Sequence, residues 1–515
     1  MAMLAHWQGL LVAAWQAAPS SRTLLVKGDG SKEIVVEGLQ DQRLLYSVSR
    51  DVGKTWETPS GIQLSDSRSS ELRGPVWSPV LHAAEDGRLW LFYSQSRECK
   101  KTVNGQVTWA PGGDIKAVTL KNVKSLSTAI FDSSDSPIWS MPKTIISQDD
   151  DNGLPKVVAN KMIVLTSGEW VLPFWREKPD SESYVCMGNV MNLPSAGVLI
   201  STDDGNNWSV HGELRDVRSP LIEGSVVQLE SGSILMLLRS ASGCAWRSVS
   251  HDRGRSWTPA VPTHVPNPNS KAHVIRLKKS GHLVMAYNNH KPRGSHLPTE
   301  DGQDNQCRSC RTALELAISA DDGVTWRKLA LVENEFTPGI RIHYPTLQQV
   351  DDMLMVIYSK FYLYREPGEW SQEQGIKLAT FNISGLLSTS ANVVLRGVPS
   401  QRLLINVVSH FIDSLSPEDI SRIQMHGHTH RLATVKRFEK RWRLLSTILC
   451  SRYDFSHLGG QRWLFSKLNF GRYAVGRVWS LPTGLDDISK AAGAAVGAPS
   501  LGTLSESPYM DDVVV

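Results

Sequence analysis

The chain is 515 residues long, 41% hydrophobic and 21% charged, the proportions of a soluble globular protein. Lys and Arg number 55 against 51 Asp and Glu, and a net charge of +4 is too even to make nucleic acid a main partner. No apolar run approaches the ~18 residues that a membrane-spanning helix needs.

The first 21 residues have the small-residue look of a secretory signal but lack a basic n-region. Their apolar stretch, 9–15, is short and broken off by Trp15 and Gln16. Residues 10–15 are read instead as a buried strand, and no signal peptide is assigned.

The next feature organises the rest. An octapeptide S-x-D-x-G-x-x-W begins at Ser49 and returns at Ser201, Ser250 and Ser319, with a degenerate copy at 133–139 that lacks the glycine. Its chemistry is that of a turn. Asp51, Asp203, Asp252 and Asp321 accept hydrogen bonds from backbone amides just ahead, the glycine takes a positive φ, and the Trp ring covers the turn. Short apolar strands precede the copies, as at 44–46, 198–200 and 314–318, so each copy is expected to close a hairpin. The full copies stand 152, 49 and 69 residues apart, and the degenerate one divides the longest interval. Units of that size hold about four short strands, one blade of a β-propeller. Runs such as 87–93, 168–174, 232–238 and 281–287 repeat one form, a turn glycine followed by a strand buried on both faces.

These octapeptides resemble the Asp-boxes of the sialidase (neuraminidase) superfamily, and the resemblance covers roughly residues 8–385. It implies an all-β fold, a six-bladed β-propeller of four-stranded antiparallel blades. The four box aspartates are then structural, away from any active site. In that superfamily three arginines hold the substrate carboxylate, a Tyr with a Glu partner is the nucleophile, and an Asp is the acid/base. The chemistry explains the set. A carboxylate nucleophile would meet the like charge that sialic acid carries on its anomeric carbon, whereas a neutral phenol does not. Arginines offer the carboxylate a rigid bidentate fork.

Several positions match. The segment 221–229 resembles the one carrying the family's Glu, and Glu223 is its one charge in an apolar pattern. Sixteen residues on, Arg239 lies in a segment resembling that of the second arginine, with Arg247 as the fallback. Arg311, ahead of the strand leading to the last box, fits the third. Thirty-three residues later, 343–347 resembles the short motif of the nucleophile, which makes Tyr344 the candidate. The acid/base falls shortly before the first box, where Asp41 is preferred by chemistry class and Glu37 is the alternative. The first arginine has no match. In the family it belongs to a strand preceding the one that 10–15 resembles, and the chain is expected to begin without that arginine and without that strand. A missing strand would leave a sheet edge open.

Six cysteines are too sparse for a disulfide scaffold, and the single Cys307-x-x-Cys310 pair does not make a zinc site. The box rhythm ends near residue 385. Segment 386–490 is expected as a basic extension, irregular or partly helical, and its stretch 402–443 carries eight Lys/Arg against four Asp/Glu, read as a solvated face. His426, His428 and His430 lack further ligands at metal spacing, and 491–515 is expected as a disordered tail.

The chain is therefore read as a soluble monomer without metal or cofactor, its compartment open. Its expected function is hydrolysis of a terminal acidic sugar, sialic acid or similar, from a glycan or glycoconjugate. Two rivals stand beside that reading: a non-catalytic carbohydrate- or protein-binding propeller, and an enzyme acting on another acidic glycan.

Overall fold

Runs of aliphatic and aromatic residues fold into six small antiparallel sheets, arranged as the six blades of a propeller. The computed structural model describes residues 1–394 apart from 19–21, 28–29, 36, 63, 65–73, 98–99, 104–105, 122–138, 152, 178–193, 291–310, 336–339, 363 and 366–374. The degenerate box aspartate, the Cys307/Cys310 pair, the three-histidine cluster and nearly all of the C-terminal extension lie outside the described residues.

In chain order the innermost strands are Ala2–Trp7, Val76–Ala83, Lys156–Val158, Ile222–Gln228, His273–Arg276 and Ile340–Val350. Each blade then steps outward through hairpins. Blade 4, for example, runs Ile222–Gln228, Ile234–Arg239, Cys244–Ser250, Val261–Pro266. Blades 1 to 5 each contain a path of four strands, and blade 6 has three among the described residues. The middle strands read as unbroken apolar runs because blades pack face to face: every residue of Leu89–Gln95 and of Trp170–Arg176 is buried. Trp90, Phe92, Trp170 and Trp208 interlock between blades 2 and 3 with ring centroids 5.6–6.3 Å apart. Cys244, buried in blade 4, is disulfide-bonded. Helix Ile383–Val394 follows the last strand. Among the described residues no helix is long and apolar enough to cross a membrane.

One expectation is corrected. A strand does precede residues 10–15: Ala2–Trp7 pairs with Leu10–Ala17 along its whole length, from Ala2↔Trp15 to Trp7↔Leu10. Gln8 and Gly9, both at positive φ, form the two-residue turn that suits a twisted hairpin. This strand packs on the innermost strands of blades 2 and 6 and so closes the ring. The predicted open edge is absent at this point.

The Asp-boxes are the turns between the third and fourth strands, as their sequence predicts. Asp321 Oδ1 accepts from the Thr325 amide at 2.8 Å, and the Gly323 amide donates to Ser319 Oγ at 2.9 Å. The same pair of bonds recurs at Asp51, Asp203 and Asp252. The hydroxyl and amide of Thr55 hold the Asp51 carboxyl down at about 2. Trp208 and Trp257 donate from Nε1 to the carbonyls of Gly205 and Gly254, at 3.1 and 2.9 Å, which seats each ring over its own turn.

The turns also lock neighbouring blades. Gly323 sits at φ +77, where an added Cβ would stand 2.6 Å from Leu235 Cδ2 of blade 4. Gly323→Ala combines a disfavoured backbone conformation with a clash in a packed core, and it should destabilise the fold by about 2 kcal/mol. Chemical denaturation reads that loss directly, and an unchanged midpoint would mean the turn is not anchored on its neighbour.

Candidate active site

Antiparallel blades put the end of the second strand beside the start of the first. In blade 4 this pairs Ile222 with Arg239, so Glu223 and Arg239 share one end of the propeller. Arg311 stands just ahead of the third strand of blade 5, Ala313–Ser319, at the same end. The box turns follow the third strands and therefore occupy the opposite end.

Bulges aim the side chains. At Ser78-Pro79, Glu223-Gly224 and Tyr344-Pro345 two residues of the innermost strand face one residue of the next strand, and the register shifts there. The first residue of each pair has positive φ, at 50°, 48° and 55°. A bulge at this point turns the side chain out of the alternation of the strand and toward the axis. Proline or glycine in the next position fits such a break, since neither belongs in a regular central strand.

The result is a buried cluster. Glu223, Arg239, Arg311 and Tyr344 are 4%, 3%, 0% and 2% exposed. Arg239 Nη1 donates to Glu223 Oε2 at 3.0 Å and to the Tyr344 hydroxyl at 3.2 Å. Arg311 Nη1 reaches the same hydroxyl at 3.3 Å. Residues spread over more than 120 positions of sequence thus meet in one cluster: both guanidinium groups reach the phenol oxygen, and Glu223 joins it through Arg239.

Residues that the sequence did not single out hold this arrangement. Asn269, itself at positive φ, accepts from Arg239 Nε on its side chain at 2.8 Å and from Arg311 Nη2 on its carbonyl at 2.5 Å, and so ties the two guanidinium groups together. His343 Nδ1 accepts from Arg311 Nη1 at 3.0 Å, and its ring stacks on Tyr344 with centroids 3.9 Å apart. Burial, then the charges of Arg311 and Arg341, push the His343 imidazole well below its usual range, so the ring is neutral and can accept. The Asn-Pro-Asn-Ser run at 267–270 and the histidine beside Tyr344 were the available signals, but a turn motif and one ring do not by themselves point to a site.

Electrostatics separate the members of the cluster. Burial pulls the Arg239 guanidinium down, but Glu223 and then Tyr344 more than offset that and hold it above its usual value. Burial pushes Arg311 down to about 10, partly countered by Tyr344. The Tyr344 phenol is raised by burial; the two arginines oppose this, and Glu223 and Glu37 add to it.

Of the two acid/base candidates, Glu37 is the carboxyl coupled to this cluster. It is half-buried by accessible surface, yet enough protein surrounds it that burial pushes its carboxyl up to about 8. The amino terminus and Arg239 counter that rise, while Glu223 adds to it. Gln16 donates to Glu37 from Nε2 and accepts the Ser78 amide on Oε1, linking Glu37 to the bulge of blade 2. Asp41 is half-buried in the turn beyond it. Arg247 is not brought into the cluster: its Nη1 donates to the carbonyl of Gly323, in the Asp-box of blade 5.

A six-bladed propeller with a polar cluster at one end of its axis defines the class of protein. Residues 10–357 match the model of the BNR repeat-like domain, and the chain belongs to that family, as the Asp-box resemblance implies. A curated protein named sialidase, from Bacteroides fragilis (strain YCH46), is 24% identical over 293 residues, covering 54% of this chain and 47% of its own. The chain thus spans about half the length of that relative. Among solved structures, the Hadza microbial sialidase Hz136 is similar at 17% identity and a TM-score of 0.50, over 75% of this chain and 65% of that one. A mutant of Trypanosoma rangeli sialidase displaying trans-sialidase activity is similar at 15% identity and the same TM-score, over 76% and 55%. At these identities the two structures speak for the fold alone.

Proposed function

We propose that the chain is a sialidase-like exo-glycoside hydrolase acting on a terminal acidic sugar. One observation carries the reading: Glu223, Arg239, Arg311 and Tyr344 meet at one end of the propeller axis with both guanidinium groups on the phenol oxygen.

Arg239 and Arg311 bind the sugar carboxylate, each offering charge-assisted donors in a buried setting. An arriving carboxylate gives Arg239 a second anion, and Glu223 is released to face the Tyr344 hydroxyl, a contact of the kind that tightens only with substrate bound. Glu223 takes the phenol proton as the Tyr344 oxygen bonds to the anomeric carbon. The glycosidic carbon–oxygen bond breaks, and the leaving oxygen takes the proton that Glu37 holds at neutral pH. Water then attacks the anomeric carbon of the tyrosyl glycoside. Its proton returns to Glu37, the sugar–tyrosine bond breaks, and Glu223 returns the proton to Tyr344. Every group needed for acid/base and covalent catalysis comes from the chain itself.

Fluorophore release from an aryl sialoside and from the matching aryl uronide tests the substrate class. The expected result is turnover of the sialoside, with the uronide at least about a hundredfold slower in kcat/KM, because the proposed mechanism uses a carboxylate carried on the reacting carbon. Preference for the uronide would move the assignment to a different acidic glycan. Turnover of neither would leave a binding propeller.

A further inference from the structure

The axis of the propeller is crossed by two lysines that the proposed chemistry does not use. Lys161 follows the innermost strand of blade 3 and donates from Nζ to Gln348 Oε1 of blade 6, directly across the ring, at 2.5 Å. Lys271, ahead of the innermost strand of blade 5, is fully buried. Its Nζ donates to the carbonyl of Ala159 in blade 3 at 3.2 Å and to Thr346 Oγ1 in blade 6 at 3.0 Å. Thr346 in turn donates to the carbonyl of Ala2 in blade 1 at 2.9 Å. Bonds that join blades across the ring, and not merely side by side, place these groups on the axis itself.

Both ammonium groups are bonded only to neutral oxygens among the described residues. The carboxylate that acts on Lys271, Glu223, is already ion-paired to Arg239, and the charge acting on Lys161 is that of Lys271. Lys271 is fully buried and Lys161 half-buried, and burial pulls both ammonium groups down to about 7; as cations they repel each other, a cost that an anion between them offsets. Their acceptors, Thr346 and Gln348, are two residues apart on one strand and on one face, about 7 Å along it. Each ammonium group is held by one of these acceptors, so the two approach the axis from neighbouring positions of one strand. His82 Nε2, buried and without a hydrogen-bond partner among the described residues, belongs to a ring that also senses the charge of Lys161.

We infer that the propeller axis holds a binding site for a small monovalent inorganic anion of the halide class, seated between the ammonium groups of Lys161 and Lys271. Such an ion joins blades 3, 5 and 6 electrostatically and serves as a structural pin.

Melting of the full chain in chloride, against gluconate at equal ionic strength, tests this at pH 6, below the value of about 7 to which burial pulls both lysines. Chloride should raise the melting temperature saturably, by about 2 °C or more, while the bulkier gluconate should not. Lys161→Met and Lys271→Met should each weaken the chloride response about tenfold or more, the loss of one charge-assisted contact. If either variant does not fold, diffraction from wild-type crystals grown in bromide decides: an anomalous peak between the two ammonium groups supports the site. Equal melting in the two salts, an undiminished response in a folded variant, or bromide absent from the axis would each overturn it.

Discussion

Tyr344→Phe should lower sialoside turnover by about three orders of magnitude or more while leaving a folded propeller. The hydroxyl is the atom on which Arg239 and Arg311 converge, and it is the one group of the cluster that can attack carbon without bringing a negative charge to the sugar carboxylate. The variant keeps the ring that stacks on His343. It loses an acceptor for two guanidinium groups, so some loss of stability is expected as well. Circular dichroism and a melting curve separate that loss from the chemical one. A folded variant with turnover within tenfold of the parent would remove Tyr344 from the mechanism, and its partner Glu223 with it.

The second large effect is a pH dependence. The Glu37 carboxyl is pushed up to about 8, chiefly by burial, so at neutral pH it is protonated and can donate to a leaving oxygen. As pH rises through about 8 the acid loses its proton, and kcat/KM should fall tenfold per unit on the alkaline side. Glu37→Gln should abolish most turnover of substrates with poor leaving groups and spare those whose leaving oxygen needs no proton; the remaining rate should lose the alkaline limb. Stability follows the same proton. The folded pKa lies above the usual carboxyl value of 4.5, so the folded state binds the proton more tightly than the unfolded one. That contribution is fully present below about 4.5 and disappears as pH climbs to about 8. Glu37→Gln, which cannot ionise, should therefore gain in relative stability between pH 5 and pH 9. A profile that keeps its alkaline limb in Glu37→Gln would transfer the role to another group, with Asp41 the next to substitute.

How much could be foreseen depends on the range of the interactions. The Asp-box turns were legible because they are local: Ser319, Asp321, Gly323 and Thr325 satisfy one another within a few residues, and the spacing of acceptor, positive φ and donor is written in order along the chain. The propeller followed, since repeated hairpins of buried strands have few other ways to cover both faces. Glu223, Arg239, Arg311 and Tyr344 were nameable only through their resemblance to a family, as no local pattern connects them.

Other features belonged to the tertiary structure. The strand Ala2–Trp7 lies ahead of the first repeat and exists through its pairing with Leu10–Ala17 and its packing on blades 2 and 6. The choice of Arg239 over Arg247 turns on which end of a blade each occupies, and the standing of Glu37 beside Asp41 turns on which carboxyl is surrounded by protein and coupled to Arg239. Asn269, His343 and the paired lysines of the axis acquire meaning only across the ring, from blades far apart in sequence. Hydrogen bonds within a turn depend on spacing along the chain, whereas burial and long-range charge depend on which strands the closed ring brings face to face, and that distinction divides what the residues alone determined from what folding decided.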